Sequence, residues 1–524
     1  GQRAARAPAG DGSSAPPDPD AAAERALDDR LGFDALPEPS TPPQQDESDR
    51  LGFGAAPSPA AAQDASDLLG FGAPTGSAEQ DQPAQVSDGL ATSSLSLRGF
   101  VRGRTAVWAE RLSERPLGKA WQSLDLELRY RRDVSPDLQF RLHLAGHAEY
   151  DLAYSDPPDL PDDGTLPPPA EDDRATVETY RSLLTPREAF VAGVLTPVEL
   201  IAGYQIIPWG QGELLSVVDV INPRDLREPG LDDLDDIRVP VLAARARGNF
   251  GEHTIEYVLV PKASWGFLPP PLAPFSPARE LIGAQVPAGL TARWRHTPRR
   301  FGDEMQLFGR WTWKGSGLDL EFHAARLLDR SGVLLTSDPS SVRKAGIDLE
   351  LEHLPYSMVG HSGASPFGSW LLRWELGADF GRPFAVAPTE DGVVAKEVDV
   401  VNGLIGLNYA GFSRTNLTLD ATYSLPAHDV EPLVPVQYPT LAFRASHTEL
   451  SERLTLSGVL VAFGLQPSHG WLARAELSYS VLDSLSVSAG YVTYHPEPGP
   501  GPIAGFDSHD RVYASWRYDF QMLN

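Results

Sequence analysis

The segment LDLELRY, residues 124–130, decides the fold, because apolar and charged side chains alternate along it without interruption. Leucine or tyrosine occupies each even position, and aspartate, glutamate or arginine occupies each odd position. Successive side chains of a β-strand point to opposite faces, so the pattern predicts a strand with one apolar and one charged face. The two faces must therefore meet very different surroundings.

The same alternation extends through most of the chain after residue 92. It recurs in residues 95–107, 138–150, 318–324, 347–351 and 417–425. Such long, two-faced strands do not suit a β-sandwich, in which strands average five or six residues. A transmembrane barrel, with apolar side chains toward lipid and polar side chains toward a lumen, requires this arrangement. We therefore predict an all-β, antiparallel transmembrane β-barrel over residues 93–524.

Connection lengths and the closing segment refine this prediction. Short and long connections alternate, which is typical of periplasmic turns and outer loops. We count 19 candidate strands, but termini on one side require an even number, so we predict about 18, with 16 or 20 as alternatives. Aromatic residues gather near strand ends, as at Trp311 and Trp313 or Tyr491 and Tyr494, and indicate interfacial girdles. The last strand resembles an assembly signal for outer-membrane barrels, carried by Trp516, Tyr518 and Phe520.

Composition excludes several classes of protein. The chain has 524 residues, no cysteine and a net charge of −27, so disulfides, thiolate metal sites and a basic nucleic-acid surface are not expected. No uninterrupted run of 18 or more apolar residues is present. The chain opens at Gly1 without a basic and apolar leader, so we expect a mature chain whose export signal has been removed.

Residues 1–92 differ from the rest and are predicted to form a disordered, acidic periplasmic tail. This segment has 16 Asp and Glu against 5 Arg, and it cannot bury enough apolar surface to offset its ordering entropy. Its three aromatic residues all belong to one repeated phrase, Asp-x-Leu-Gly-Phe. The repeated residues are Leu31, Gly32, Phe33, Leu51, Gly52, Phe53, Leu69, Gly70 and Phe71.

Two interpretations of the repeats remain open. They are a drifted duplication without a role, or a linear motif in which a short helical turn ends at Gly and presents Phe to a periplasmic protein. Three weak sites on one tether bind a multivalent partner far better than one site does.

A second distinctive stretch is AGYQIIPWGQGELLSVVDVINPRDLREP, residues 202–229. It begins as a short apolar strand, breaks at Pro208 and continues as a loop that is too long for a simple hairpin. Asn-Pro followed by Asp is turn chemistry. The loop either constricts the barrel mouth and selects solutes, or packs Trp209 merely to hold its own shape. The predicted constriction residues are Trp209, Gly210, Asp219, Asn222, Pro223 and Asp225.

Charged residues on the strands are predicted to line the pore. The acidic pairs within residues 232–236 would face them and create a transverse field, although charge runs are usually solvated faces. The predicted pore-lining residues are Arg98, Arg102, Arg104, Arg129, Arg141 and Glu149.

Evidence for catalysis or metal binding is thin. His143 and His147 would lie about 13 Å apart on a strand that rises about 3.3 Å per residue, too far for one ion. No Gly-x-Ser-x-Gly elbow and no phosphate-binding Gly-rich loop is present. We therefore predict no enzyme activity, no catalytic residue, no cofactor and no metal; a barrel hydrolase is the least favoured alternative.

One stretch resembles a known family. Trp209-Gly210 followed by DVINPRD, residues 219–225, after a Gly-Tyr-Gln strand, resembles the signature of an uncharacterised family of porin-like outer-membrane barrels in Gram-negative bacteria. The resemblance spans residues 99–520, and its specific part is residues 203–225. Members are often encoded beside a periplasmic lipid-binding-type protein and an inner-membrane exporter of the RND type, which implies export of a hydrophobic cargo. The three-copy tail is not part of the family pattern.

Two classes of function follow from these observations. The first is an outer-membrane pore or export channel whose tail recruits a periplasmic partner. The second is a structural barrel that docks a periplasmic or trans-envelope assembly without conducting. A soluble, secreted all-β protein is a further alternative.

Overall fold

The protein is described here by a computed structural model, which covers residues 92–110, 117–154, 180–231, 237–267, 269, 275, 291–296, 302–336, 346–386, 394–428, 436–465, 468–499 and 501–523. None of the helical segments in these ranges is long and apolar enough to cross a membrane. The predictions for the three LGF repeats and for the acidic pairs of residues 232–236 lie outside the described residues.

Strands dominate the described chain. In chain order they are β1 (Thr92–Trp108), β2 (Leu117–Ser135), β3 (Leu138–Asp151), β4 (Ser182–Leu195), β5 (Val198–Gln205), β6 (Val241–Phe250), β7 (His253–Val260), β8 (Thr291–His296), β9 (Gln306–Gly315), β10 (Leu318–Leu328), β11 (Val333–Thr336), β12 (Gly346–Glu352), β13 (Pro355–Phe367), β14 (Trp370–Ala385), β15 (Ala395–Phe412), β16 (Thr415–Pro426), β17 (Thr440–Glu449), β18 (Leu454–Phe463), β19 (Trp471–Leu482), β20 (Leu485–His495) and β21 (Arg511–Leu523).

Eighteen of these strands form one closed antiparallel barrel. Each pairs with the barrel strand that precedes or follows it in the chain, and β1 pairs with β21 to close the ring. At the closure Gly99 lies opposite Phe520 and Gly103 lies opposite Trp516. The prediction of an 18-stranded antiparallel barrel is confirmed.

One segment with the alternation of a barrel strand does not belong to the barrel. The alternation of residues 347–351 predicts a barrel strand, and this prediction is wrong. They lie in β12, which pairs with β11 and, in parallel, with β8 to form a separate three-stranded sheet. Alternation reports only that a strand has two different faces, so it cannot tell a barrel strand from a strand within a long connection.

The barrel is apolar outside and polar inside. On β2, Leu124 and Leu126 are 38% and 41% exposed, whereas Ser123 and Asp125 are 4% and 7% exposed. On β14, Leu376 and Phe380 are exposed, while the charged Arg373, Glu375 and Asp379 are buried. This inversion of the usual burial pattern is the arrangement that a lipid-facing barrel requires, because lipid tails solvate the outer side chains.

The two ends of the barrel differ. At one end the connections between barrel strands have two to four residues, as at 196–197 and 316–317, and the first and last strands also terminate there. At the other end every connection has at least seven residues. The longest of these, residues 206–240 and 261–305, follow the short strands β5 and β7. These two ends are called the turn end and the loop end below.

The outer-face assignment predicts a sharp difference between two neighbouring positions on β19. Leu477 is 48% exposed on the outer face, and Ser478 follows it on the inner face. Leu477→Arg should lower the free energy of unfolding of the barrel in lipid vesicles by about 2–4 kcal/mol, because a guanidinium would enter the hydrocarbon. Ser478→Arg is the control. It should lower the free energy of unfolding by less than about 1 kcal/mol, because water can solvate a guanidinium on the inner face. Urea titration of heat-modifiable gel migration measures both, and equal losses would contradict the assignment.

Candidate functional site

The described residues of the connection between β5 and β6, 206–231 and 237–240, are called the inner loop, and they fold into the barrel instead of projecting from it. Five of its apolar side chains are at most 1% exposed: Ile207, Trp209, Leu215, Val217 and Val218. The loop leaves the wall at β5, contacts β14 and β16 on the far side of the ring, and returns to β6. It therefore runs across the lumen.

Glu375 of β14 holds the tip of the inner loop. Its Oε1 atom accepts hydrogen bonds from the backbone amides of Gln211 at 2.6 Å and Gly212 at 2.7 Å. Its Oε2 atom accepts from the Ser216 hydroxyl and the Val217 amide, both at 2.6 Å. One buried carboxylate thus satisfies donors that have no strand partner, which a buried loop needs.

Asp420 of β16 binds backbone amides of the loop in the same way as Glu375. Its Oδ2 atom accepts from the amides of Glu213, Leu214 and Leu215 at 2.9, 2.6 and 3.1 Å. Arg373 of β14 donates to its Oδ1 atom at 2.9 Å and to the Gln211 carbonyl at 2.8 Å. Arg373 therefore compensates the buried charge of Asp420 and fastens the loop at the same time.

Gly210 is required where the loop meets Glu375. Its φ of +87° lies in the left-handed region, and a Cβ there would stand 2.4 Å from Glu375 Oε1. Both the backbone conformation and the close approach exclude a larger residue. The predicted constriction residue Gly210 is thus part of the loop's anchorage.

Trp209 is the central apolar residue of the loop. Its indole nitrogen donates to Glu256 of β7 at 3.1 Å, and its amide donates to Asp219 at 3.1 Å. Glu256 is in turn paired with Arg310 of β9 at 3.0 Å. The ring packs edge-on against Phe308. Trp209 thus ties the loop to the wall beside its own stem.

Asn222 and Pro223 close the stem of the loop. The Asn222 side chain accepts from the Ile207 amide at 2.6 Å and donates to the Gln205 and Val239 carbonyls at 3.1 and 3.0 Å. The Pro223 carbonyl accepts from the Val239 amide at 2.8 Å. One side chain therefore bridges both strands of the stem, a role that explains the turn chemistry seen in the sequence.

Asp225 belongs to a second anchorage, on the side of β3. It pairs with Arg227, whose guanidinium also donates to Glu149 at 2.7 Å. Although burial lowers the pKa of Arg227, Asp225 and Glu149 raise it well above its usual value. The pore-lining candidate Glu149 is therefore a fixed support of the returning half of the loop.

Glu228 extends this second anchorage to β2 and β21. It pairs with Lys119 at 3.0 Å and with Arg511 at 2.8 Å. Burial raises the pKa of the Glu228 carboxyl, but the two cations outweigh burial, and the pKa lies below its usual value. The group is therefore charged at neutral pH, and its contribution to stability is lost only as the pH falls through that lowered pKa.

Tyr494 and Arg474 hold the last part of the loop by its backbone. The Tyr494 hydroxyl donates to the Pro229 carbonyl, and Arg474 donates to the Leu231 carbonyl at 3.1 Å. Tyr494 is 1% exposed and faces inward, so its assignment to an interfacial girdle is wrong. Tyr491, three residues earlier, is 40% exposed on the opposite face of the same strand.

The structure places the predicted pore-lining residues on the inner face. Arg98 pairs with Glu127 at 2.7 Å, and Arg129 pairs with the same carboxylate. Arg141 pairs with Glu199, and its side chain is 39% exposed. Nearer the loop end, Arg104 is 7% exposed. Arg102 lines a cavity of about 80 Å³ together with Arg227 and Glu228 of the inner loop.

His143 and His147 occupy separate surroundings, as their spacing predicts. His147 lies between Asp125 at 2.9 Å and Glu149 at 3.3 Å. His143 stacks on Phe190 with ring centroids 5.0 Å apart.

The residues of the predicted assembly signal lie on the closing strand β21. Trp516 and Tyr518 are exposed on its outer face, and Phe520 lies opposite Gly99 of β1. The strand continues beyond Phe520 to Leu523. Their role as an assembly signal remains a prediction.

The sequence analysis did not identify the wall residues that hold the inner loop. Glu375, Asp420, Arg373 and Glu256 are inner-face charges on alternating strands, like many others. The alternation of residues 417–425 places Asp420 on a polar face and predicts nothing further about it. Their one distinguishing property is which backbone amides they meet, and no signal in the sequence reports that.

Replacing Glu375 should release the tip of the inner loop. Glu375→Ala leaves the amides of Gln211, Gly212 and Val217 without their acceptor, and each buried, unsatisfied donor costs about 1–3 kcal/mol. We expect protease cleavage within residues 206–240 to become at least about tenfold faster in the folded barrel. Mass spectrometry of the fragments measures the rate and the position of cleavage.

Glu476→Ala is the matched control for this experiment. Glu476 is an inner-face carboxylate of β19 that accepts from the Tyr513 hydroxyl at 2.8 Å. Its loss should leave the cleavage rate in the loop unchanged. If both variants resist protease as the wild type does, Glu375 does not hold the loop.

Comparisons with known proteins give structural likeness only. No protein-family model matches the chain, and no curated protein matches it. The crystal structure of Pseudomonas aeruginosa OccK5 (OpdH) is similar with 12% identity and a TM-score of 0.45, over 82% of this chain and 98% of that chain. A BenF-like porin from Pseudomonas fluorescens Pf-5 has 10% identity and a TM-score of 0.46, over 82% and 99%. Salmonella typhi OmpF in complex with daunomycin has 10% identity and a TM-score of 0.38, over 81% and 97%.

Proposed function

We propose that this chain is an outer-membrane channel whose lumen is narrowed by the inner loop. The single observation that carries the proposal is the course of that loop across a closed barrel with an apolar outer face and a charged inner face. The loop end, with its long connections, would face outward and the turn end would face the periplasm.

The inner wall toward the turn end supports a water-filled passage. The side chains of Arg129 and Arg141 are 43% and 39% exposed although they point into the barrel. Both arginines lie close to the turn end of β2 and β3, so solvent reaches the inner wall at that end of the barrel. Arg98, Arg129 and Arg141 share this region with Glu127 and Glu199, so charges of both signs would meet a passing solute.

A second function is favoured by a different observation. The inner loop is packed like a protein core, with Trp209 and Val218 at 0% exposure. Tight packing at this level favours a closed barrel that docks a periplasmic or trans-envelope assembly without conducting.

Single-channel recording of the full-length protein in planar bilayers separates the two functions. A channel should show steady steps of current, and Glu375→Ala should raise the step size because the loop tip is no longer held across the lumen. Silence of the wild type and of Glu375→Ala alike would reject the channel and favour the docking barrel.

The inner arginines should also set ion selectivity. Arg129→Glu should move the reversal potential toward cation selectivity, because the lumen gains two units of negative charge. Arg414→Glu is the matched control, since Arg414 lies in a turn with its side chain 56% exposed and paired with Glu449. A conducting barrel with an unchanged reversal potential in Arg129→Glu would show that this residue lies off the conducting path.

The segment before the barrel is proposed to bind a periplasmic protein through Phe33, Phe53 and Phe71. With a root-mean-square reach of about 5–6 Å × √n, this segment would explore roughly 50 Å from β1. An inner-membrane exporter that delivers a hydrophobic cargo is one partner consistent with the resemblance of residues 203–225. Binding of a periplasmic partner is compatible with the channel, since the partner would deliver solute to the pore.

Retention from a periplasmic extract tests the repeats. Immobilised residues 1–92 should retain a partner that the variant with all three phenylalanines changed to alanine does not retain. Equal retention by both would mean that the repeats are linker and would leave a plain diffusion channel.

A further inference from the structure

The outer wall of the barrel has a concavity over its shortest strands. It has a volume of about 1040 Å³ and extends from β3 across β5, β7 and β9 to β13. Strands β5 and β7 have 8 residues and β9 has 10, against 17 and 19 in β1 and β2. A volume of this size is that of a binding site for a small molecule.

Small residues make the floor of this concavity and large apolar residues make its walls. Ala202 lies opposite Ala244 on β6, and Gly309 on β9 lies opposite Ala324 on β10. Tyr257 and Val359 are 65% and 50% exposed beside that floor. The absence of long side chains at the floor positions leaves a depression in a face that must be covered by hydrocarbon. The walls are formed by Phe140, Val191, Leu200, Tyr257, Leu307 and Val359.

An arginine lies at the loop end of the concavity. Arg326 is exposed on the outer face of β10, with Leu307 and Ser357 opposite it on the neighbouring strands. Its Nη1 atom donates to the Ser357 hydroxyl at 3.1 Å. The other arginine of the lining, Arg245, points into the barrel and pairs with Glu256. Among the described residues, Arg326 pairs with no carboxylate, so its charge is available to an external anion.

The position of Arg326 matches the headgroup level of a membrane. It lies two residues before the end of β10, and beyond it begin the connections of the loop end. A guanidinium on the lipid face is costly at the midplane but is favourable near a phosphate at the interface. The apolar depression continues from it toward the turn end, through Leu307, Gly309 and Ala324.

We propose that this wall binds one phosphate-bearing lipid of the leaflet at the loop end. An acyl chain would fill the concavity over Ala244 and Gly309, and the lipid phosphate would bind Arg326 where Ser357 holds the guanidinium. This inference rests on the proposed residence in a membrane, but it does not require that the barrel conducts.

Native mass spectrometry of the full-length barrel after detergent delipidation tests the site. The two probes are palmitoyl-oleoyl phosphatidylglycerol and palmitoyl-oleoyl diacylglycerol, which has the same chains without a phosphate. We expect the wild type to retain a single phosphatidylglycerol with at least about tenfold preference over diacylglycerol, because a charge-assisted pair is roughly twice as strong as a neutral one.

Two variants remove the two halves of the site. Arg326→Gln should lose the preference for phosphatidylglycerol, and Ala244→Trp should lose both probes because the indole fills the floor. Arg414→Gln, in a turn at the other end of the barrel, and Ala473→Trp, on the outer face of β19, are the matched controls and should bind as the wild type does. Heat-modifiable gel migration verifies that each variant is folded.

Three outcomes would overturn the proposal. Equal binding of both probes by the wild type would mean that no phosphate is recognised. Unchanged binding by Arg326→Gln would place the lipid elsewhere. If the wild type gave the mass of a dimer and Ala244→Trp gave only that of a monomer, the concavity would bind a second copy of this protein instead of a lipid. Conductance is recorded for the same samples, so a silent barrel that retains the lipid would reject the channel and keep the lipid site.

Discussion

The structure depends on how buried backbone amides find acceptors inside a barrel. A strand satisfies its amides with its neighbours, but a loop that crosses the lumen leaves that ladder. Glu375 and Asp420 replace it, and each accepts several consecutive amides of residues 211–217. Without these two carboxylates the same amides would be buried without an acceptor, which costs about 1–3 kcal/mol for each donor.

Burying these two charged carboxylates costs free energy, because each one loses its hydration by water. Asp420 is compensated by Arg373, whereas Glu375 is held by hydrogen bonds from the loop itself. The attachment is therefore mutual, because the loop needs the wall for its amides and the Glu375 carboxylate needs the loop for its solvation. The loop and the Glu375 carboxylate therefore stabilise each other.

The ring is not uniform around its circumference. Strands β5, β6, β7 and β9 have 8 to 10 residues, and the inner loop and the longest connection both leave the barrel from this side. Inside, Trp209 packs against this wall through Glu256 and Phe308. Outside, the same strands present small residues and the exposed Arg326. One side of the barrel thus combines the root of the constriction with the proposed lipid site.

The sequence by itself determined the antiparallel barrel, its even strand number of about 18 and the alternation of inward and outward side chains along most strands. These follow from a period of two, which is local, and from the requirement that a closed ring with both termini at one end has an even number of strands. The inner loop was also recognisable, because Trp209, Gly210 and Asn222 form an unusual cluster after a strand. Only the tertiary structure decided what that loop does with its polar groups and which of the inner charges serve it. Glu375 lies 164 residues from Gln211 in the chain, and closure of the ring brings them together. The same closure sets Arg326 at the edge of an apolar depression, because a cross-strand row of residues exists only once the register of several strands is established.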